Sequence, residues 1–245
     1  MIDFDVLWLA SAFIVTLAAM LQGITGFGFA LIAIPLLLLV YDSHTAVILN
    51  MMISLVTLSV LTFRVRSLVK TNIVKNLFLG SILGIPIGIF IHLHFDVELL
   101  KLAIGIVTAL SSLIMLVGFT VKMTKDKIWQ TSTGIISGIL TGSISMPGPP
   151  VILLLNNQKL LKDHFRATTS AFFVLAYLVS LFSLTSIGAV DLETFILSGT
   201  LIPFAILGGF LGYIIFPKVP QEKFQQGVSI LVLATALYAV ITALG

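Results

Sequence analysis

Charge is what this sequence has least of. Asp, Glu, Lys and Arg make up 9% of its 245 residues, where a soluble domain carries about 25%. So little charge cannot cover a water-facing surface, which excludes an ordinary globular domain. Cysteine is absent, which excludes disulfides and thiolate chemistry but is compatible with any compartment. Long polar segments are lacking too. The longest polar connection runs from Asn156 to Arg166, so no separate soluble domain is expected. The N-terminus opens Met-Ile-Asp-Phe-Asp without a basic leader or a small-residue cleavage site, so its first apolar run reads as a membrane segment rather than a removable signal. The net charge of +3 is small and sits in loops, which gives no reason to expect nucleic-acid binding.

What is there is apolar: 58% of residues, with a mean hydropathy of +1.18. The length suits roughly eight membrane helices of about 20 residues. Backbone in hydrocarbon must satisfy its own hydrogen bonds, which leaves helices or a closed barrel. Continuous rather than alternating apolar runs select helices. The runs fall at about 5–41, 45–63, 71–91, 97–119, 128–155, 167–187, 194–216 and 221–244. Six are one span long. The stretches 5–41 and 128–155 are too long for one crossing, and each carries a glycine- or proline-rich knot.

The basic residues orient these runs. Arg64, Arg66 and Lys70 share one loop, and Lys122, Lys125 and Lys127 a second. Lys159, Lys162 and Arg166 share a third, and Lys218 and Lys223 a fourth. The remaining connections carry Asp3, Asp5, Asp42, His44, His92 to Glu98, Asp191 and Glu193, with Lys101 the one exception to the contrast. The positive-inside rule puts the first set in the cytoplasm. The stretch 128–155 must then start and end inside, and 5–41 must start and end outside, so both are hairpins. The expected fold is an all-α integral membrane protein of two inverted-topology repeats, residues 1–121 and 122–245. Each repeat is a broken, re-entrant helical hairpin followed by three transmembrane helices. Both termini are expected outside a multi-pass cell (inner or plasma) membrane.

Internal similarity points the same way. Gly23-x-x-Gly26-x-Gly28 before a leucine run resembles Gly138-x-x-x-Gly142 and Gly148 before Val-Ile-Leu-Leu-Leu. Asp42 with His44 matches Asp163 with His164, Gly84 and Gly88 match Gly208 and Gly212, and Val97-Glu98 matches Gln221-Glu222, at offsets of about 115 to 124. Interrupted helices at corresponding places in inverted repeats point to a transporter's binding site. Glycines at the first knot weaken the helix by roughly 1 kcal/mol each. Pro147, Pro149 and Pro150 forbid a continuous helix through the second, though a new helix can begin there.

Candidate binding residues are therefore Gln22, Gly23, Thr25, Gly26, Phe27, Gly28, Asn50, Thr141, Gly142, Ser143, Ser145, Met146, Gly148 and Pro149. No Asp, Glu, Lys or Arg is expected inside the membrane. Restarting helices offer free N–H groups and positive dipole ends, and hydroxyls and amides lie close by, which suits an anion. Any single Ser or Thr can equally bond its own helix. The histidines, 44, 92, 94 and 164, all fall at span ends, where solvation is the ordinary reading. His92-x-His94 with Asp96 is the one local metal-like grouping, and it reads as a solvated turn. No catalytic residue, metal or cofactor is expected.

The two knots resemble the TauE/SafE family of sulfite exporter-like membrane permeases. The resembling residues are Gly23-Ile-Thr-Gly-Phe-Gly-Phe with Pro35-Leu-Leu-Leu-Leu, and Gly138-Ile-Leu-Thr-Gly with Gly148-Pro-Pro-Val-Ile-Leu-Leu-Leu. Length, halves and motif positions fit over the whole chain. One departure is Ser145-Met146-Pro147-Gly148, where members often carry Gly-Met-x-Gly-Pro-Pro. The resemblance implies a permease for sulfite, sulfoacetate or other sulfonates, usually exporting them, and by expectation through alternating access. An anion channel or a carrier of another small organic anion is the alternative, and an intramembrane enzyme ranks below both. The expected partners are a small anionic substrate and the lipid bilayer, with a homodimer as an option. The coupling ion, H+ or Na+, is left open.

Overall fold

The structure is a computed structural model that describes residues 6–96, 126–158 and 160–220, with isolated positions at 99, 100, 102, 103, 106, 110 and 223. Apart from those positions, the expected spans 97–119 and 221–244 lie outside the described residues, as does the boundary between 121 and 122. Every described element is helical. In chain order these are α1 (Val6–Thr25), α2 (Phe29–Leu37), α3 (Ser43–Val65), α4 (Thr71–His94), α5 (Lys127–Ile144), α6 (Gly148–Asn157), α7 (Lys162–Ser186) and α8 (Leu192–Ile215). Short 3-10 turns, Arg66–Leu68 and Phe216–Lys218, extend α3 and α8.

Five of these are long and apolar enough to cross a membrane: α1, α3, α4, α7 and α8. The two over-long runs are each divided into a longer and a shorter helix, α1 with α2 and α5 with α6. At nine and ten residues, α2 and α6 are too short to span.

Two helix pairs form close seams, α4 on α5 and α1 on α8, while α3 and α7 meet at the centre. The burial agrees with that arrangement. The apolar windows of α3 and α7 are 67% and 61% buried, those of α4 and α8 only 44% and 28%. Outward-facing side chains such as Phe13, Phe63, Phe182 and Phe195 make up the lipid-facing belt.

Lipid is as apolar as leucine, so hydrophobicity does not hold such helices together; close backbone packing does. A Cβ on Gly80, Gly84 or Gly88 would stand 2.0, 2.1 or 2.2 Å from the carbonyl oxygen of Thr131, Ile135 or Ile139 across the α4–α5 seam. The α1–α8 seam repeats this, with Gly208 against Thr16 and Gly212 against Met20.

One end of the bundle collects the basic loops. Lys162 Nζ donates to the Val219 carbonyl at 2.8 Å, Lys70 N–H donates to Thr168 Oγ1 at 3.1 Å, and His164 Nδ1 lies 2.7 Å from the Leu68 carbonyl. The opposite end holds two Asp-capped helix starts. Asp42 accepts from the N–H groups of His44 and Thr45, and Asp191 from Thr194 N–H at 2.6 Å and Thr194 Oγ1 at 2.8 Å.

These bonds from Thr194 hold the Asp191 carboxyl below its ordinary range. A depressed pKa contributes stability that is complete above the unfolded value, near 3.9, and is lost as pH falls through the folded one. Loss of these N-cap bonds in Asp191→Ala should cost about 1 kcal/mol at neutral pH. That difference should narrow on acidification below the folded-state pKa, because a neutral carboxyl accepts the same bonds more weakly, as read by thermal melts of both proteins in detergent.

Two sequence expectations are corrected here. Arg166 is not in a loop: α7 begins at Lys162, so Arg166 lies one turn inside it and is 2% exposed. Nor is His92 solvated. It is 1% exposed, with Nε2 3.1 Å from His44 Nδ1 and Nδ1 3.0 Å from the Ser143 carbonyl. No pattern in a single sequence announces this contact, because its partners come from three helices.

A candidate binding site between two helix breaks

The first break spans Gly26 to Gly28. Gly26 and Gly28 take φ of +79° and +91°, left-handed values that glycine adopts without a Cβ penalty. Thr25 Oγ1 accepts the N–H of Phe27 at 3.1 Å and so closes the turn. The chain then restarts as α2, whose first N–H groups have no partner within the helix. The second break turns on Ser145, the one non-glycine residue with positive φ (+56°) among the described residues. Its conformation costs energy that its surroundings must offset. Asn50 Nδ2 donates to Ser145 Oγ at 2.6 Å and to its carbonyl at 3.1 Å, and Tyr177 OH donates to the same carbonyl at 3.1 Å. Helix α6 then starts at Gly148 with prolines in its first turn.

Both breaks open onto one narrow cavity of about 20 Å³, room for little more than one water. Gln22, Phe27, Gly28, Phe29, Ala30 and Leu31 line it from the first break. Met146, Pro147, Gly148 and Pro149 line it from the second, and Phe173 and Tyr177 close it from α7. No ionisable acid or base other than the tyrosine phenol is among these residues. The free amides belong mainly to α2, since Pro149 and Pro150 have no N–H to offer at the start of α6.

The structure thus divides the sequence candidates. Gln22, Phe27, Gly28, Met146, Gly148 and Pro149 line the cavity, while Asn50 and Ser145 form the buried clasp beside it. Gly26 does not face the cavity. A Cβ there would sit 2.7 Å from the Arg166 carbonyl, so it lets α7 approach the break.

Gly23 and Gly142 belong to the helix seams: their Cβ atoms would meet Gly209 O at 2.4 Å and Ile85 O at 2.5 Å. Thr141 and Ser143 are satisfied inside α5 by the carbonyls of Ser137 and Ile139. Thr25 is committed to its own turn.

Sequence reasoning missed four participants. Tyr177 supports the clasp, and Phe173 closes the cavity. Thr57 donates to Gln22 Oε1 at 2.6 Å and fixes that amide. Arg166 donates to the Gly23 carbonyl, with its guanidinium 4.1 Å from the Phe216 ring centre and 5.2 Å from that of Tyr213. A buried glutamine amide and the free N–H groups of a restarted helix end can hold an oxyanion through neutral donors.

In comparison with known proteins, a family model described as Sulfite exporter TauE/SafE matches residues 11–239. No curated protein and no solved structure matches the chain.

Proposed function

The chain belongs to the sulfite exporter TauE/SafE family, and on that premise we propose that it carries small sulfur-containing anions across the membrane. The family consists of membrane transporters rather than enzymes, and the five apolar helices agree with a multi-pass membrane location. The finer reading is a carrier of sulfite or an organosulfonate, working outward by alternating access, with its binding site in the cavity between the breaks. The observation that carries it is that two helix breaks, far apart in sequence, line one cavity with no carboxylate on its wall.

An inverted repeat is part of the proposal. A single offset of 119 residues takes Thr25 to Ile144, Gly26 to Ser145, Phe29 to Gly148 and Ser43 to Lys162, the corresponding ends and starts of helices. The same offset takes Gly23 to Gly142. The packing pairs interchange as well, α1–α8 with α5–α4 and α3–α8 with α7–α4. Because the protein has no cysteine, single cysteines can be introduced without background. Ser67→Cys and Lys218→Cys should label from the cytoplasmic side, and Asp96→Cys and Gly188→Cys from the other. Labelling of Ser67→Cys and Asp96→Cys from the same side would refute the topology.

Transport is tested by loading proteoliposomes with radiolabelled sulfite or methanesulfonate. Protein-dependent efflux, accelerated by unlabelled substrate on the far side, is the expected result for a carrier. Efflux without that acceleration would indicate a channel, and no movement of either anion would overturn the substrate assignment.

A further inference from the structure

A second pocket, of about 110 Å³, lies between α1, α3 and α8. Its floor includes Gln22, which also lines the central cavity, and Thr57, which is bonded to Gln22, while Arg64 stands at its rim. Tyr213 also lines it, and two guanidinium groups approach that ring: Arg64 at 5.2 Å and Arg166 at 5.2 Å from its centre. Arg166 is buried behind the wall, and its one hydrogen bond among the described residues goes to the carbonyl of Gly23, itself a lining residue. Its Nε is buried with no partner among them. Among the described residues no carboxylate hydrogen-bonds either guanidinium, though the charge of Asp163, on the first turn of α7, acts on Arg166.

Burying a cation is costly unless it is paired, and a lone carbonyl with two ring faces is poor payment for it. The buried guanidinium of Arg166 and the exposed one of Arg64 at the rim together make the pocket an attractor for an anion. Its volume admits an oxyanion with a short organic group, whose apolar part would meet Val60, Leu61 and Ile206.

We propose that this pocket is an anion waiting site on the basic side of the protein, where Arg64 and Arg166 hold a sulfonate-type oxyanion before Gln22 admits it to the central cavity. The inference rests on the anion-transport reading above. Arg166 leaves the Gly23 carbonyl to take the anion, so loading the pocket also frees the end of α1 next to the first break.

The test is thermal stabilisation of purified protein by methanesulfonate and by sulfite, in phosphatidylcholine nanodiscs that hold no anionic lipid. The wild type should be stabilised. Arg166→Gln should weaken the apparent affinity at least about tenfold, Arg64→Gln should weaken it less and reduce its salt dependence, and Arg66→Gln should leave it unchanged. Should Arg166→Gln not fold, Arg166→Lys keeps the charge but loses the planar fork. It should show unaltered melting without ligand and a raised KM in efflux. Stabilisation equal in wild type, Arg166 and Arg64 variants would overturn the waiting site and leave transport standing. An arginine-dependent effect obtained with phosphatidylglycerol alone would overturn it in favour of a lipid headgroup. A wild type that neither binds nor moves either anion would remove the transport reading first, and the waiting site with it.

Discussion

Gly84→Val should leave little folded protein to purify, with a loss of at least about 3 kcal/mol. The Cβ of any substituent would stand 2.1 Å from the Ile135 carbonyl and 2.9 Å from the Ile139 nitrogen. Both are backbone atoms of α5 and cannot rotate away as a side chain would. The two helices would have to separate, and the contact is reciprocal: Gly134 and Gly138 are pressed against Leu77 and Ser81 from the other side. Separation would also pull the Ser143 carbonyl from His92. Gly208→Val, with its Cβ 2.1 Å from the Thr16 carbonyl, should do comparable damage to the α1–α8 seam. Gly199→Val is the control, since a Cβ there meets nothing within 4 Å. Size-exclusion profiles and melting curves of the three variants would check this; a monodisperse Gly84→Val melting like the wild type would refute the seam.

Asn50→Asp should abolish transport, to below about a tenth of the wild-type rate, with a smaller effect on folding of about 1–3 kcal/mol. The side chain is 0% exposed and nearly unchanged in size, so packing is preserved. What changes is the hydrogen-bonding sign. Both bonds to Ser145 come from Nδ2, and an ionised carboxylate has no hydrogen to donate. The Ser145 hydroxyl can turn and donate instead, but its carbonyl cannot. The substitution also adds a negative charge beside a site expected to hold an anion. Tyr177→Phe removes only one of the two donors to that carbonyl and should reduce the rate by a few fold. Efflux of labelled methanesulfonate from proteoliposomes, normalised to folded protein, measures both. Unimpaired Asn50→Asp would detach the clasp from transport.

How much of this was legible in the sequence depended on whether the relevant interaction was local. The breaks were legible because glycine and proline act on their own backbone, and Gly26, Gly28 and Pro147 lie where the helices stop and restart. The glycine string was legible only as a whole. Gly23 and Gly142 serve the helix seams, while Gly28 and Gly148 border the cavity, and spacing alone does not separate these roles.

Matching Gly23 with Gly138 by pattern uses an offset of 115 residues, four fewer than the 119 of the proposed repeat, a difference of one helical turn. The proposed repeat, set by the helix ends, would pair Gly23 with Gly142 instead. Arg166 was assigned to a loop because it follows Lys159 and Lys162, and a basic cluster normally marks a loop. The one available signal was the run of small and aromatic residues from Phe165 to Phe173, all of which are buried. The Asn50 clasp joins positions 95 residues apart, and no single-sequence pattern announces it.

The two breaks are built alike but held differently, and that difference bears on direction. Gly26 adopts its left-handed turn freely, whereas Ser145 does so only while Asn50 and Tyr177 grip it. In an alternating carrier, one gate then works like a slack hinge and the other like a sprung latch. The empty protein would not divide its time evenly between its two openings. A bias of only 1.4 kcal/mol is a tenfold difference in population. Two helix breaks of the same kind would in this way yield a valve with a preferred resting side, without any asymmetry in the cargo's own contacts.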